Sequence, residues 1–212
     1  MMPQDNYPTN VEIIEVGPRD GLQREPILIP VDQKVKLIDA LVDAGLKSIQ
    51  VTSFVHPRLV PQMADAEEVC ARLTPYPDVS YSGLALNLKG IDRAHQAGLT
   101  NIDMSVSASE AHSRRNANRT VSEALEEYDA MYDRARSYGM TVRGGIQCAF
   151  GFEHTADVDP DNVIAIAQHF LHELGVDQLA LADSSGLANP LQLANLVETI
   201  VAMANEKPII LH

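Results

Sequence analysis

The chain has 212 residues, of which 45% are hydrophobic and 5% aromatic, and its formal net charge is −13. This composition is typical of a globular protein with a full core, and the acidic balance argues against a nucleic acid or an anionic membrane as partner. Two cysteines are too few for a disulfide framework, and the sequence shows no signal peptide or membrane span, so we expect a cytoplasmic protein.

One phrase recurs along the chain: an amphipathic helix ends at a glycine, and an apolar strand follows within a few residues. The glycines are Gly45, Gly98, Gly139 and Gly175. The predicted strands lie near residues 11–16, 47–52, 79–86, 101–107, 140–148, 177–182 and 208–212. The predicted helices lie near residues 31–44, 59–73, 88–97, 120–138, 160–174 and 190–204. Thr120 and Glu123 have the spacing of a capping box at the start of one helix.

Alternating strands and helices favour a parallel sheet that is covered on both faces, so its strands should be rich in Val, Ile, Leu and Ala. Two architectures are compatible with this pattern, an open doubly wound sheet and a (β/α)8 barrel. The first strand is not followed by a G-x-G-x-x-G motif, which weakens a dinucleotide-binding interpretation. A barrel has eight strands, whereas this chain ends at its seventh predicted strand. We expect a single domain over residues 1–212, which as a barrel would be incomplete at its C-terminus.

Polar side chains collect where the predicted strands end, which is where α/β proteins place their chemistry. They include Arg19, Asp20, Gln50, Ser53, Asn87, Lys89, Asp183 and His212. Asp20 and His212 offer a carboxylate oxygen and an imidazole nitrogen, which together could hold a divalent cation. Arg19 could stabilise a developing oxyanion, and the alternative is that it forms only a local salt bridge with Asp20.

Several phrases resemble the 3-hydroxy-3-methylglutaryl-CoA lyase family, a branch of the DRE-TIM metallolyase superfamily. They are VGPRDGLQ at 16–23, VTSFVHPRLVPQMAD at 51–65, NLKG at 87–90, SASEAHSRRN at 107–116, TVRGGIQCAFG at 141–151 and LADSSGLANP at 181–190. The first phrase is shared with the isopropylmalate and homocitrate synthases, whereas the second is more specific to the CoA lyases. The resemblance covers almost the whole chain and implies an α/β fold, a (β/α)8 TIM barrel truncated after strand 7.

The resemblance also implies a reaction, which is the metal-dependent retro-aldol cleavage of a 3-hydroxy-3-methylglutaryl-CoA-like thioester to acetyl-CoA and a keto acid. In this interpretation Asp20 and His212 are ligands of Mg²⁺ or Mn²⁺, and Arg19 and Asp183 are catalytic. The implied substrate-binding residues are Arg19, Gln23, Gln50, Ser53, Asn87 and Lys89. The expected partner is an acyl-CoA, and a homodimer is plausible for the family.

Two departures from the family leave the function open. The family has a catalytic Glu at the position of Gln50, and a glutamine can neither act as a base nor carry charge. The family also has a second histidine, an asparagine ligand and a glycine-rich loop with a reactive cysteine beyond the position of His212, where this chain ends. The alternatives are a lyase for a related thioester such as citramalyl-CoA, and a non-catalytic barrel fragment that binds acyl-CoA.

Overall fold

The architecture follows from one parallel sheet, which a computed structural model describes together with its helices over residues 10–212. The strands are β1 (Ile14–Glu15), β2 (Ser48–Ser53), β3 (Ser80–Ala85), β4 (Asn101–Ser107), β5 (Thr141–Gln147), β6 (Gln178–Leu181) and β7 (Ile209–Leu211). Each strand pairs in parallel with the next strand in sequence, so the sheet runs from β1 to β7 in chain order. This order is that of a (β/α)8 barrel, because a doubly wound sheet reverses its order at a switch point. The predicted parallel α/β sheet is therefore confirmed, and the doubly wound alternative is excluded.

Helices cover the outer face of this sheet. They are α1 (Val31–Asp43), α2 (Ala66–Ala71), α3 (Leu88–Gln96), α4 (Glu110–Ala117), α5 (Val121–Ser137), α6 (Pro160–Gln168) and α7 (Pro190–Met203). The four glycines that were predicted to end helices all have a positive φ, between 70° and 97°. Glycine adopts this left-handed conformation without a Cβ penalty, so these predicted helix ends are confirmed. Every helix within residues 10–212 is too short or too polar to span a bilayer.

The predicted helix 59–73 is wrong in its first half. Residues Pro61–Met63 form a short 3₁₀ turn, and α2 starts only after Asp65. The buried Lys34 of α1 explains the interruption, because its Nζ donates to the backbone carbonyl of Gln62 and, at 2.6 Å, to the Asp65 carboxylate. The Gln62 carbonyl oxygen in the 3₁₀ turn and the Asp65 carboxylate just before α2 therefore both bind a lysine of another helix.

Other elements also differ from the prediction. The predicted helix 160–174 is α-helical only over Pro160–Gln168 and continues as a π-helical turn over His169–Leu174. Helix α4 was not predicted, because its sequence EAHSRRNA has no apolar stripe, although Ser109 caps its start and Asn118 ends it at φ 55°. Strand β1 is shorter than the predicted 11–16: it starts only at Ile14, and it ends at Glu15 because Val16 already caps a π-helical turn that begins at Gly17.

The strands have two chemically different faces. On β4 and β5, Ile102 and Val142 are buried in the hydrophobic core that the helices cover. Residues one position further along the same strands, Asp103 and Arg143, face the opposite side, since side chains alternate along a strand. Asp103 and Ser82 of β3 are only 5% and 4% exposed, so this inner face is polar and yet buried. The expected richness in Val, Ile, Leu and Ala therefore holds for the outer face of the strands, whereas polar residues occupy the inner face.

The capping box at the start of α5 should contribute measurably to stability. Thr120 Oγ1 accepts a hydrogen bond from the backbone N–H of Glu123 at 3.0 Å, and the Glu123 carboxylate accepts one from the N–H of Thr120 at 2.8 Å. This geometry confirms the predicted capping box. Replacing Thr120 with Ala leaves the Glu123 N–H without its acceptor and should lower the free energy of unfolding by about 1 kcal/mol, measured by urea denaturation.

The matched control is Ser122→Ala, because Ser122 is exposed in the same helical turn. This substitution should change the free energy of unfolding by no more than about 0.5 kcal/mol, and Thr120→Ser should retain most of the stability. Equal losses in Thr120→Ala and Ser122→Ala would contradict the assignment.

Candidate active site

The turn after β1 places Arg19 against β2. Arg19 Nε donates to Oε1 of Gln50, and Arg19 Nη1 donates to Oδ1 of Asp20 at 2.7 Å. Arg19 is 9% exposed, and this burial lowers the pKa of its guanidinium, while the charges of Asp20 and Asp103 act in the opposite direction. Arg19 Nη2 has no hydrogen bond to any residue in the described part of the chain. The salt bridge with Asp20 is therefore present, and it leaves one guanidinium nitrogen available to a ligand.

A continuous series of hydrogen bonds extends from Arg19 across the inner face of the sheet. Gln50 Nε2 donates to Oδ2 of Asp103 on β4, and Ser82 Oγ on β3 donates to the same oxygen at 2.7 Å. Arg143 Nη1 on β5 donates to the other oxygen, Asp103 Oδ1, at 2.7 Å. Arg143 Nε donates in turn to Gln178 of β6 at 2.9 Å. Side chains from the β1 turn to β6 thus belong to one network.

Sequence reasoning missed the central members of this network. The candidates were chosen as residues at strand ends, whereas Asp103 and Arg143 lie within β4 and β5. The predicted Gln50 likewise lies within β2 and not at its end. The signal was present in β4, where polar residues occupy every second position: Asn101, Asp103, Ser105 and Ser107. Such a period of two marks a strand whose two faces meet different environments.

The two predicted metal ligands lie after the two edge strands of the sheet. Asp20 follows β1, and its Oδ1 accepts hydrogen bonds from Arg19 and, at 2.7 Å, from Gln23 Nε2. His212 follows β7 and is exposed, and its carbonyl oxygen accepts a hydrogen bond from Asp183 N at 2.8 Å. Within residues 10–212, no group of three or more His, Cys, Asp or Glu side chains could hold a metal ion. One carboxylate and one imidazole suit Mg²⁺ or Mn²⁺ chemically, but they fill only part of a shell of about six ligands.

Two of the predicted site residues have their side chains engaged by the backbone. Asp183 accepts from the N–H groups of Leu187 at 2.9 Å and Ala188 at 3.0 Å, one at each carboxylate oxygen, and so closes the loop after β6. Asn87 Oδ1 accepts from the N–H of Gly90 at 2.8 Å and caps α3. Both side chains therefore order the carboxyl end of the barrel, whatever else they contact.

The remaining candidates differ in their exposure. Ser53 is fully buried, and its hydroxyl has no hydrogen-bond partner among residues 10–212. Lys89 is exposed in the first turn of α3. The structure thus brings together the predicted residues Arg19, Asp20, Gln23 and Gln50. No hydrogen bond among the described residues connects Asp183 or His212 to that group.

Comparison with known proteins gives close sequence relatives over nearly the whole chain. The HMGL-like family model matches residues 10–212. A Pseudomonas aeruginosa protein named 3-hydroxy-3-isohexenylglutaryl-CoA/hydroxymethylglutaryl-CoA lyase is 40% identical over 203 residues, which are 96% of this chain and 66% of that protein. The mitochondrial hydroxymethylglutaryl-CoA lyase of Rattus norvegicus is 37% identical over 95% of this chain and 61% of its own length.

Solved structures of hydroxymethylglutaryl-CoA lyases are also similar to this chain over nearly its whole length. The crystal structure of the hydroxymethylglutaryl-CoA lyase from Pseudomonas aeruginosa gives a TM-score of 0.89 at 39% identity, over 95% of this chain and 67% of that one. An HMG-CoA lyase from Acinetobacter baumannii, solved in complex with coenzyme A and 3-methylmalate, gives 0.89 at 32% identity, over 95% of this chain and 65% of that one. This chain thus spans about two thirds of the length of these relatives, it shares their TIM-barrel fold, and it belongs to the HMGL-like family.

Proposed function

We propose that this chain carries the substrate-binding and metal-binding part of a carbon–carbon lyase that converts 3-hydroxy-3-methylglutaryl-CoA to acetyl-CoA and acetoacetate. The observation that carries the proposal is the position of Arg19, which is buried, bonded on two sides and left with Nη2 available. The names of the relatives support the reaction, and the relative with bound coenzyme A supports an acyl-CoA substrate.

The cleavage requires a stabilised carbanion. The substrate hydroxyl gives up its proton to a base, its oxygen becomes the keto oxygen of acetoacetate, and the carbon–carbon bond breaks. The electron pair of that bond moves toward the thioester carbonyl and forms the enolate of acetyl-CoA. The enolate then takes up a proton at carbon and becomes acetyl-CoA. Arg19 presents a cation whose free Nη2 can donate to the enolate oxygen. Because Gln50 and Asp20 already fix the guanidinium, little reorganisation is needed as the negative charge develops.

Asp20 and His212 are the proposed protein ligands of a divalent cation, Mg²⁺ or Mn²⁺. Such a cation, when bound, supplies a Lewis acid that polarises the substrate oxygens and acidifies the hydroxyl group. Gln23 donates to Asp20 Oδ1 and so orients this carboxylate. Water and substrate oxygens are the natural donors for other positions of such a shell.

The other predicted residues take supporting roles in this proposal. Asp183 positions the loop after β6 through its two backbone hydrogen bonds, and its predicted catalytic role stays a prediction. Asn87 offers its amide N–H groups, and the exposed ammonium of Lys89 suits a phosphate of coenzyme A. Ser53 is fully buried, so a contact of its hydroxyl with the substrate stays a prediction. A cytoplasmic location and a homodimer stay predictions.

Substrate cleavage can be tested in a fusion protein, in which residues 10–212 of this chain replace the corresponding part of the Pseudomonas aeruginosa lyase. We expect the fusion to release acetyl-CoA from 3-hydroxy-3-methylglutaryl-CoA when Mg²⁺ is present, measured by chromatography of the CoA thioesters. Release only from citramalyl-CoA would favour the related lyase. If the fusion binds coenzyme A but cleaves neither thioester, this result would contradict the lyase proposal and favour a non-catalytic barrel fragment that binds acyl-CoA.

Arg19→Lys in the fusion should lower kcat about 10²- to 10³-fold, because lysine keeps the charge but loses the planar fork that reaches Gln50, Asp20 and the enolate together. Steady-state kinetics measure this effect. The matched control is Arg24→Lys in the same segment, since Arg24 is exposed, and its kcat should stay within about twofold of the parent. A kcat for Arg19→Lys equal to that of the control would rule out the proposed role.

Asp20→Asn should weaken Mn²⁺ binding to the fusion by at least about tenfold, because it removes the anionic ligand. Electron paramagnetic resonance of free Mn²⁺ measures the binding independently of activity. Asp43→Asn, an exposed carboxylate at the end of α1, should leave the affinity unchanged. Treatment with a chelator should abolish cleavage and added Mg²⁺ should restore it, so cleavage that persists in the chelator would argue against a metal-dependent reaction.

A further inference from the structure

The inner face of the barrel holds a buried carboxylate, that of Asp103, which does not take part in the proposed cleavage. Asp103 is 5% exposed and lies in the middle of β4, away from the strand end. Its Oδ2 accepts from Gln50 Nε2 and Ser82 Oγ, and its Oδ1 accepts from Arg143 Nη1. A buried carboxylate is stable only where cations and hydrogen-bond donors compensate its lost hydration, so this network is specific to an acid.

The direction of each hydrogen bond in the network is fixed. Arg19 and Arg143 can only donate, so Gln50 must turn its Oε1 to Arg19 and therefore its Nε2 to Asp103. Asp103 then faces the Gln50 amide on one side and Arg143 on the other, and it must accept on both. Among residues of this size only an ionised aspartate accepts on both sides.

We propose that Asp103 is a positioning residue for Arg19. Its carboxylate supplies the negative charge that Gln50 lacks, and it orients the Gln50 amide so that the negative end of the amide dipole, Oε1, faces Arg19. The inference rests on the role of Arg19 in the proposed lyase. Asp20 holds only the Nη1 side of the guanidinium, and the connection from Nε through Gln50 to Asp103 fixes a second direction. Together the two contacts set the plane of the guanidinium and the direction in which Nη2 points.

Three variants test this arrangement. Asp103→Asn keeps the size of the side chain but sets an N–H donor against either Gln50 or Arg143. Gln50→Glu sets two carboxylates in contact, so one of them must hold a proton. The double variant Gln50→Glu/Asp103→Asn exchanges acid and amide, so Arg19 again donates to an oxygen at position 50 and Arg143 to an oxygen at position 103. The double variant should therefore restore what each single variant loses.

The first measurement is solvent exchange of the Arg19 Nε–H, followed by ¹⁵N NMR of the 212-residue chain and assigned with Arg19→Lys. We expect this N–H to be protected in the unmodified chain, to lose at least about tenfold protection in Asp103→Asn, and to regain it in the double variant. The matched control is Asp43→Asn, which removes an exposed carboxylate and should leave the protection intact.

The second measurement is the urea midpoint of unfolding as a function of pH. In Gln50→Glu the contact between two acids raises the pKa of one carboxyl group above its unfolded value, although the facing Arg19 and Arg143 partly oppose this. A raised folded pKa means stability that is present at low pH and is lost as the pH rises. The midpoint of Gln50→Glu should therefore fall between pH 5 and pH 8 by more than those of the unmodified chain and the double variant.

The third measurement is catalysis by the fusion, in which Asp103→Asn should lower kcat more than it raises KM, and the double variant should recover kcat. Retained protection of Arg19 in a folded Asp103→Asn would overturn the proposal. If that variant fails to fold, a folded double variant with a protected Arg19 supports the proposal, and an unfolded or unprotected double variant overturns it. Recovery of protection without any cleavage by the unmodified fusion would reject the lyase function and still establish the positioning of Arg19.

Discussion

Each donor on the inner face of the sheet has to meet an acceptor, because water has little access to this face. Gln50, Ser82 and Asp103 are each no more than 5% exposed, so an unmatched polar group would lose its hydration without compensation. This constraint ties five neighbouring strands and the β1 turn into one arrangement. The conformation of Arg19 is thereby decided by side chains on β2 and β4 as much as by its own segment.

A good part of this arrangement could be predicted from the sequence. The glycines that end helices and the polar residues at strand ends depend on local rules of backbone conformation and of parallel sheets, and these rules hold without knowledge of the partners. They were sufficient to nominate Arg19 and Gln50 as site residues. The two residues then meet because the turn Gly17–Gly21 after β1 packs against β2, in which Gln50 lies within the strand.

The rest required coordinates for physical reasons. Gln50 and Asp103 are 53 positions apart, and their contact depends on the register of β2 and β3, which shifts at an irregularity between Gln50 and Thr52. Sequence patterns do not give such a register. Helix α4 was missed because its polar sequence has no apolar stripe and is marked only by its caps. Ligand geometry around Asp20 and His212 depends on how the two edge strands curve, and periodicity contains no information about that curvature.

The amide–carboxylate contact between Gln50 and Asp103 also has a consequence for how such proteins diverge. A single exchange of acid for amide at position 103, or of amide for acid at position 50, sets donor against donor or acid against acid. An intermediate with only one of the two exchanges would therefore be less stable than either parent. We therefore expect the two positions to covary across natural homologues, with one acid shared between them. The pair would then preserve the same electrostatic field at Arg19, whether the acid that generates it stands at position 50 on β2 or at position 103 on β4.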